Sequence, residues 1–113
     1  MTDCLFCQLA AGDIPAEILY SDDRIVAFRD VNPQAPTHVL VIPRVHFGDV
    51  AELTAEDPEL LGLMVRTATD IAAAEHLDGG HRLVINTGPD GGQTVHHVHV
   101  HLLGGRHLSW PPG

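Results

Sequence analysis

Residues 97–101 read His-Val-His-Val-His, so three imidazole side chains alternate with apolar ones near the C-terminal end of the chain. Side chains of a β-strand point alternately to its two faces, and this spacing therefore predicts His97, His99 and His101 on one face, with the valines in a core behind it. Imidazole can attack an electrophile, bind a metal or change its charge near neutral pH. We expect the strand that carries these residues, 95–103, to hold the chemistry of the protein.

Two kinds of chemistry fit three histidines in this arrangement. In the first, two imidazoles and a ligand from elsewhere bind a catalytic metal. In the second, one imidazole is a nucleophile, another binds phosphate oxygens and a third has a structural task. The Gly-rich loop 88–94 directly precedes the strand; its glycines let main-chain N–H groups approach an anion, and Gln93 and Thr94 offer side-chain hydrogen bonds. A phosphate site beside an imidazole nucleophile therefore favours the second kind.

The charge of the chain restricts its partners. Six Lys and Arg stand against 15 Asp and Glu in 113 residues, a formal charge of −9 with His neutral. Contacts from Lys and Arg to phosphate dominate binding to nucleic acids, and an acidic surface repels both nucleic-acid backbones and anionic membranes. We therefore expect no nucleic-acid partner and no membrane partner. The N-terminus lacks the pattern of a signal peptide, and no apolar segment approaches the roughly 20 residues of a membrane span. We expect a soluble, cytoplasmic protein of one domain, residues 1–113.

The elements that must position the histidines follow from hydrophobic periodicity. Thr54 and Asp57 resemble a capping box and precede an apolar stripe of helical spacing, which predicts one long helix over 55–76. A Ser-Asp-Asp turn at 21–23 predicts a hairpin. The predicted class is α+β with a mostly antiparallel five-stranded sheet, one long helix and one or two short ones. The predicted strands are 17–21, 24–30, 38–42, 82–87 and 95–103, and the predicted short helix is 4–11.

Cys4 and Cys7 are the two cysteines of the chain and have Cys-x-x-Cys spacing. In a reducing compartment such a pair is half of a metal site or a redox pair rather than a structural disulfide. No thioredoxin-like βαβ pattern surrounds them, which disfavours the redox pair. A metal half-site and two buried reduced thiols remain as alternatives.

Motifs along most of the chain resemble one family. The histidine run is preceded by Gly-Gly-Gln-Thr-Val at 91–95 and followed by Gly-Gly-Arg at 104–106 and Trp-Pro-Pro-Gly at 110–113. The segment 30–43 reads Asp-Val-Asn-Pro-Gln-Ala-Pro-Thr-His-Val-Leu-Val-Ile-Pro. These motifs resemble the histidine-triad (HIT) nucleotide-binding hydrolases, and among them the Hint branch. The resemblance implies an α+β homodimer whose sheet continues across the dimer interface. It also implies hydrolysis of the P–N bond of purine nucleoside phosphoramidates, giving a nucleoside 5′-monophosphate and an amine.

The resemblance assigns catalytic roles to four residues. His99 would attack the α-phosphorus and form a nucleotidyl-histidine that water then hydrolyses. His101 would contact phosphate oxygens and the leaving group, and Thr94, where the branch usually has Ser, would place a hydroxyl near the leaving amine. His38 would buttress the site. Neutral imidazole is nucleophilic near neutral pH and leaves phosphorus readily once protonated, so this chemistry is reasonable by itself.

The same resemblance implies a nucleotide pocket with three parts. Asp30 would accept hydrogen bonds from both ribose hydroxyls, and Asn86 would contact phosphate or ribose. Each apolar residue of the base slot, taken singly, is more often ordinary core than a ligand contact. The phosphate cradle is expected to comprise Gly92, Gln93, Thr94 and Val95 beside His99 and His101. The base slot is expected to comprise Phe6, Ile14, Phe28 and Val31.

The cysteine pair departs from animal members of the branch but is similar to many bacterial members, and to the related galactose-1-phosphate uridylyltransferases, which hold a structural zinc. This resemblance implies a closed tetrahedral zinc site formed by Cys4, Cys7, His46 and His97. The C-terminal tail, 104–113, reaches the partner subunit's site in relatives, so we expect Trp110 at the edge of the dimer and of the substrate site. No organic cofactor is expected.

Three other functions stay open from the sequence. Hydrolysis of dinucleoside polyphosphates is disfavoured by the 104–113 ending, and binding without catalysis is disfavoured by the complete triad. Zinc catalysis through His99 and His101 predicts that chelators stop turnover without unfolding the protein, whereas a structural zinc predicts that chelators destabilise the fold. The choice between adenine and guanine is not specified, because the predicted slot has no discriminating polar residue.

Overall fold

A single antiparallel sheet organises the molecule. The computed structural model describes residues 3–113. In chain order the elements are α1 (Leu5–Ala10), β1 (Ile18–Ser21), β2 (Ile25–Arg29), β3 (Thr37–Pro43), α2 (Val50–Glu56), α3 (Pro58–Ala74), β4 (His81–Val84) and β5 (Val100–Gly104). The strands lie in the order β1-β2-β3-β5-β4, and each neighbouring pair is antiparallel. The predicted α+β class, with an antiparallel five-stranded sheet, one long helix and one or two short ones, is confirmed.

The central strand β3 shows how the two faces of the sheet are covered. Val39 and Val41 are 0% exposed and belong to the core that includes α3. Leu40 and Ile42 point to the opposite face and pack in a second cluster with Phe6 of α1. Because successive side chains of a strand alternate, α3 and α1 cover opposite faces of the same sheet.

The helix α1 is short and has a defined beginning and end. The Sγ atom of Cys4 accepts a hydrogen bond from the Cys7 N–H at 3.4 Å, which satisfies a donor that the first turn leaves without an internal partner. Gly12 has φ +82°, a left-handed conformation that glycine adopts without a Cβ penalty, and the helix stops just before it. The predicted short helix and its stop at Gly12 are confirmed.

The hairpin between β1 and β2 depends on Asp22. Its Oδ1 accepts hydrogen bonds from the N–H groups of Arg24 and Ile25, both at 2.8 Å. A carboxylate that binds the main chain two and three residues ahead fixes a tight turn. The predicted hairpin is therefore confirmed.

The prediction of one uninterrupted helix over 55–76 is wrong. Helix α2 ends at Glu56 and α3 begins at Pro58, with Asp57 between them in a non-helical conformation (φ −152°, ψ 73°). The Asp57 carboxylate caps α3 by accepting the Leu60 N–H at 3.2 Å, and Pro58 suits the first helical position because it lacks an N–H. Thr54 forms no capping box, since its hydroxyl donates to the Val50 oxygen within α2 at 2.8 Å.

Two strands are shorter than predicted. Regular pairing of β5 begins at Val100 rather than at residue 95, and β4 ends at Val84 rather than at residue 87. Val98 still has the expected parity, because it is 1% exposed in the core with α3, while its N–H donates to the Phe47 oxygen. The histidine alternation therefore persists beyond the regular strand, held by a loop instead of by a neighbouring strand.

No helix within residues 3–113 has both the length and the apolar character required to cross a membrane. The expected cytoplasmic location stays a prediction.

Candidate active site and metal centre

His99 lies on the α1 face of the sheet and is 6% exposed. Its Nδ1 lies 2.8 Å from the main-chain oxygen of His97. A carbonyl oxygen can only accept, so Nδ1 carries the ring proton and Nε2 carries the lone pair. The Phe6 ring packs edge-to-face against the imidazole, with centroids 5.1 Å apart and planes at 87°. The ring is thus fixed in both orientation and tautomer.

The surroundings of His99 keep it neutral. Burial lowers the pKa of His99 below its ordinary value, while the hydrogen bond to His97 and the negative charge of Asp30 oppose that shift. A neutral imidazole with an available lone pair is the nucleophilic form. Near neutral pH the site therefore presents a nucleophile without a separate general base.

His38 and His101 form a hydrogen-bonded pair across β3 and β5. Leu40 of β3 lies directly opposite His101 of β5. His38 is two residues before Leu40 on the same face of β3, so it is a diagonal neighbour of His101. The Gln34 N–H donates to Nδ1 of His38 at 3.0 Å, so His38 carries its proton on Nε2. That Nε2 lies 2.9 Å from Nδ1 of His101 and donates to it. His101 consequently carries its own proton on Nε2.

Both members of this pair are neutral near pH 7. Burial lowers the pKa of His38, and the charge of Asp30 opposes that shift. Burial first, and then the neighbouring His99 and His38, lower the pKa of His101 to about 4, again opposed by Asp30. His101 therefore acts as a hydrogen-bond donor at Nε2 rather than as a resident cation.

Asp30 directly follows β2 and borders the histidines. Its Oδ1 accepts the Asn32 N–H at 2.8 Å, and its Oδ2 lies 3.4 Å from Nε2 of His38. Asp30, His38 and His101 each bring one ligating atom within 4.8 Å of the others. They fit a metal poorly, because the Gln34 N–H occupies Nδ1 of His38 and leaves a proton on the Nε2 that faces the group.

A cavity of about 340 Å³ opens beside His99 and His101. Its walls contain nine of the predicted site residues: Phe6, Ile14, Phe28, Asp30, Val31, Thr94, Val95, His99 and His101. Six further wall residues were not predicted from the sequence: Leu5, Leu9, Pro15, Ala16, Arg29 and Leu40. The apolar residues of the predicted helix 4–11 were the available signal for Leu5 and Leu9, since a helix that places Phe6 at a site also brings its neighbours.

Three predicted phosphate or ribose ligands do not line this cavity: Asn86, Gly92 and Gln93. The Gln93 amide donates to the Gly48 oxygen at 2.7 Å and to the Val95 oxygen at 3.1 Å, and its Oε1 accepts the Gly88 N–H at 3.0 Å. The Gln93 side chain therefore cross-links the Gly-rich loop and fixes its shape. Direct contacts of Asn86, Gly92 and Gln93 with a nucleotide stay predictions.

A slightly larger cavity, about 380 Å³, lies between β1 and α3. Its walls include Leu19, Tyr20, Leu63 and Arg66 but no histidine or cysteine. Two histidines, Asp30 and Thr94 line the other cavity together, so we place the candidate active site there.

The four predicted zinc ligands lie close together at the N-terminal end of α1. The Sγ atoms of Cys4 and Cys7 lie 3.2 Å and 3.4 Å from Nδ1 of His97. Nδ1 of His46 lies 3.4 Å from the Cys7 Sγ and 3.2 Å from the His97 Nδ1, and all four ligating atoms lie within 4.8 Å of one another. Tetrahedral zinc with ordinary Zn–S and Zn–N bonds separates its ligand atoms by about 3.3–3.8 Å. The spacing fits such a site.

The chemistry of the donors fits a metal as well. Nε2 of His97 donates to the Pro43 oxygen at 2.8 Å, which fixes the ring proton on Nε2 and turns the lone pair of Nδ1 toward the cysteines. His97 is fully buried, and burial lowers its pKa, so the imidazole is in the neutral form that a metal requires. Two thiolates and two neutral imidazoles form a closed set of structural type.

Comparison with known proteins identifies the family. A family model, the HIT domain, matches residues 11–108 of the chain. The chain belongs to the HIT family. An uncharacterised HIT-like protein of Synechococcus elongatus is 56% identical over 111 residues, covering 98% of this chain and 97% of that protein. A 14 kDa zinc-binding protein of Zea mays is 48% identical over 111 residues, covering 96% and 87% of the two chains.

Solved HIT structures share the fold of this HIT protein throughout. A HIT family hydrolase from Legionella pneumophila superposes with a TM-score of 0.95 at 49% identity, covering 98% of this chain and 100% of that one. A histidine triad protein from Clostridium difficile superposes with a TM-score of 0.92 at 38% identity, covering 96% of each chain. The predicted family is confirmed, and the comparisons support a hydrolase of the HIT family.

The C-terminal tail of the HIT protein extends beyond β5. The Arg82 side chain donates to the main-chain oxygens of Leu108 at 3.3 Å and Ser109 at 2.9 Å and so holds the tail against β4. Trp110 is 82% exposed. The predicted place of Trp110 at a dimer and substrate edge stays a prediction.

Proposed function

We propose that this HIT protein hydrolyses purine nucleoside phosphoramidates through a nucleotidyl intermediate on His99. The observation that carries the proposal is the 2.8 Å hydrogen bond from Nδ1 of His99 to the His97 oxygen, which leaves the lone pair on Nε2. A fixed neutral imidazole at the wall of a cavity suits attack on an electrophilic phosphorus.

The reaction is proposed in two displacements at phosphorus. In the first, Nε2 of His99 forms a bond to the α-phosphorus, the P–N bond of the substrate breaks, and the amine leaves with that electron pair and takes one proton from solvent. In the second, water attacks phosphorus, the bond to His99 breaks, and the proton that water loses returns to solvent. One water is consumed in total, and His99 ends neutral as it began.

The other polar groups of the cavity would bind the phosphoryl group. His101, with its proton on Nε2, would donate to a phosphate oxygen or to the departing nitrogen, and Thr94 lies in the same wall with a hydroxyl that could do likewise. Because His38 fixes that proton through Nδ1 of His101, its proposed role is to orient His101. The shape of the Gly-rich loop that carries Thr94 depends on the Gln93 cross-links.

The nucleoside is proposed to occupy the apolar part of the cavity. Asp30 has a lone pair left on each carboxylate oxygen after its contacts with Asn32 and His38, and could accept two adjacent ribose hydroxyls. The base would lie against Phe6, Ile14 and Phe28, with Val31, which is 98% exposed, at the rim. This wall is apolar and suits the flat face of a purine.

A structural zinc on Cys4, Cys7, His46 and His97 is part of the proposal. The ion would join α1 and the loop after β3 to the segment just before β5. The His97 oxygen that fixes the tautomer of His99 belongs to one of these ligands, so the metal site would steady the nucleophile without taking part in the reaction.

A cytoplasmic homodimer completes the proposal. Strand β4 lies at an edge of the sheet, where its outer N–H and C=O groups can pair with another strand. The exposed Trp110 offers a large apolar surface near the same side of the molecule, as expected for a contact with a second copy.

Release of AMP from adenosine 5′-phosphoramidate tests the proposed reaction. We expect His99→Ala to lower kcat by about 10⁴-fold or more, because the covalent route is lost. His96→Ala is a matched control, since His96 is exposed and has the opposite parity. Quenching of the wild-type reaction in an alkaline denaturant, which keeps the imidazole unprotonated, should trap AMP covalently on the protein, and peptide mapping at the same pH should locate it at His99.

Two results would contradict the assignment: turnover retained in His99→Ala, or AMP found on a different residue. Absence of phosphoramidate turnover in the wild type, together with hydrolysis of a dinucleoside polyphosphate, would replace the proposed substrate class.

A further inference from the structure

The loop between β2 and β3 supplies the one main-chain contact that decides the protonation of His38. Gln34 donates its N–H to Nδ1 of His38 at 3.0 Å, and His38 is 5% exposed. If His38 moved its proton to Nδ1, two N–H groups would face each other in a buried place and the Gln34 donor would lose its acceptor. A buried donor without an acceptor is unfavourable, and this disfavours the Nδ1–H tautomer of His38. The position of the Gln34 main chain therefore selects the tautomer of His38.

The tautomer of His38 in turn selects that of His101. Nε2 of His38 has one hydrogen and two neighbouring acceptors, Nδ1 of His101 at 2.9 Å and Oδ2 of Asp30 at 3.4 Å. The shorter contact is the one to His101, whose Nδ1 must then be an acceptor. The proton of His101 is thereby left on Nε2. A shift of the Gln34 amide would release both rings.

The loop is held in place from outside by the C-terminal tail. Arg106 donates from Nη2 to the Gln34 main-chain oxygen at 2.9 Å and from Nη1 to the oxygen of His107 at 3.0 Å. Gly105 has φ +90°, and a Cβ on it would lie 2.9 Å from the Cβ of Pro36. The close approach of the tail to the loop therefore requires glycine at 105, and it delivers the Arg106 guanidinium to Gln34.

Within the loop, two further contacts keep residue 34 in register. The Gln34 side-chain amide donates to the Asn32 oxygen at 2.9 Å, and the Asn32 N–H donates to Oδ1 of Asp30 at 2.8 Å. These contacts shape the loop from its β2 end only. From the C-terminal tail, Arg106 holds Gln34 through its hydrogen bond to the Gln34 main-chain oxygen.

We propose that Arg106 is a positioning residue for the reaction: it holds the Gln34 main chain so that the Gln34 N–H fixes the proton of His38, and through His38 the proton of His101, on Nε2. The proposal rests on the function proposed above for its kinetic consequence. Its structural content, the tautomers of two histidines, is independent of any substrate. The guanidinium touches no reacting atom and acts through the loop.

Spectra of the imidazole ring nitrogens test the structural content without turnover. Long-range ¹H–¹⁵N correlations distinguish Nδ1–H from Nε2–H rings. We expect His38 and His101 of the wild type to show Nε2–H alone, and Arg106→Gln to show His38 averaging between the two tautomers. Arg82→Gln is the matched control, because Arg82 also donates to tail oxygens but does not contact the loop. Its spectra should match the wild type.

Kinetics test the consequence. We expect Arg106→Gln to lower kcat for adenosine 5′-phosphoramidate about three- to tenfold and to change KM by less than about twofold. The reason is that the Nε2–H donor of His101 would be present only part of the time. Arg106→Lys, which keeps a donor, should stay within about twofold of the wild type. In a His38→Gln background, where no Nδ1 remains to be fixed, Arg106→Gln should have no further effect.

Two results would overturn the proposal: an unchanged Nε2–H signature of His38 in Arg106→Gln, or equal effects of Arg106→Gln and Arg82→Gln on kcat. A wild type that shows the expected tautomers but no phosphoramidate turnover would contradict the proposed function instead, and would leave the tautomer result standing.

Discussion

Replacement of Cys4 by Ser is the most informative perturbation of the metal centre. Serine removes one of the two proposed thiolate ligands but can still cap α1, because its Oγ can accept the Cys7 N–H that the Cys4 Sγ accepts in the wild type. We propose one zinc per chain in the wild type and expect the variant to purify without it. A six-residue helix has almost no stability by itself, so α1 should detach when the metal is lost.

The size of the effect follows from what α1 buries. Phe6 and Leu9 are 5% and 8% exposed in the structure. Exposing two such side chains costs about 1.5–3 kcal/mol each, or about 3–6 kcal/mol together. For a domain of about 100 residues, 1 kcal/mol corresponds to roughly 4 °C, so we expect the Tm to fall by about 12–24 °C.

Metal analysis and thermal unfolding of the same samples check this expectation. Ala11→Ser is the matched control, because it introduces the same residue at the exposed end of α1 without removing a ligand. A wild type stripped by chelator should unfold at nearly the temperature of Cys4→Ser. Zinc retained in Cys4→Ser would show the ligand set to be wrong. Loss of zinc with a Tm within about 4 °C of the wild type would show that packing alone holds α1.

Two further predictions concern stability elsewhere. Gly62→Ala should stabilise the protein by about 0.5–1 kcal/mol, since Gly62 lies on the exposed side of α3 and a Cβ added there would meet no atom within 4 Å. An unchanged or lower midpoint of urea unfolding would contradict this expectation. His101→Asn should reduce the loss of stability between pH 6.5 and pH 4. The pKa of His101 is lowered to about 4 in the folded state, so in this range the unfolded chain binds more protons than the folded one. Stability therefore falls as pH falls, and His101 accounts for at most about 3 kcal/mol of that loss. Urea midpoints at pH 7 and pH 4.5 should lie closer together in the variant than in the wild type, and an equal separation would refute the assignment.

Local patterns in the sequence were sufficient for most of the elements. The alternation in 97–101 correctly placed the valines in a core and the imidazoles on the opposite face, because strand geometry gives a period of two to side chains whatever surrounds them. The break at Asp57 escaped the helix prediction. The apolar stripe begins only after Asp57, and the predicted helix was extended back to residue 55 from Thr54. Asp57 followed by Pro58 is itself a local signal for the start of a helix, so the sequence contained the sign of this break.

The candidate metal ligands could be named from the sequence, but the sequence did not show that their atoms lie close together. Cys4 and His97 are separated by 93 positions, and no spacing rule relates residues so far apart; resemblance to a family named them, and the packing of α1 on the sheet brings their atoms to 3.2 Å. Similarly, the sequence offered Gln93 as a phosphate ligand by its place in a Gly-rich loop. In the structure its amide donates to the Val95 oxygen two positions away and to the Gly48 oxygen 45 positions away, and the second contact depends on the fold.

The sequence by itself determined which residues could react, how they alternate and which family they resemble, because side-chain chemistry and strand periodicity are local properties. Only the tertiary structure decided where each proton of the histidines lies. His99 donates to the His97 oxygen, His97 to the Pro43 oxygen, and His38 is fixed by the Gln34 amide that Arg106 holds from the tail. The choice between two ring nitrogens depends on main-chain acceptors and donors that the fold places against each ring, two and four positions away for His99 and His38 and 54 positions away for His97. No pattern along the sequence specifies which ring nitrogen carries the proton. That choice decides which nitrogen keeps the lone pair and can act as a nucleophile.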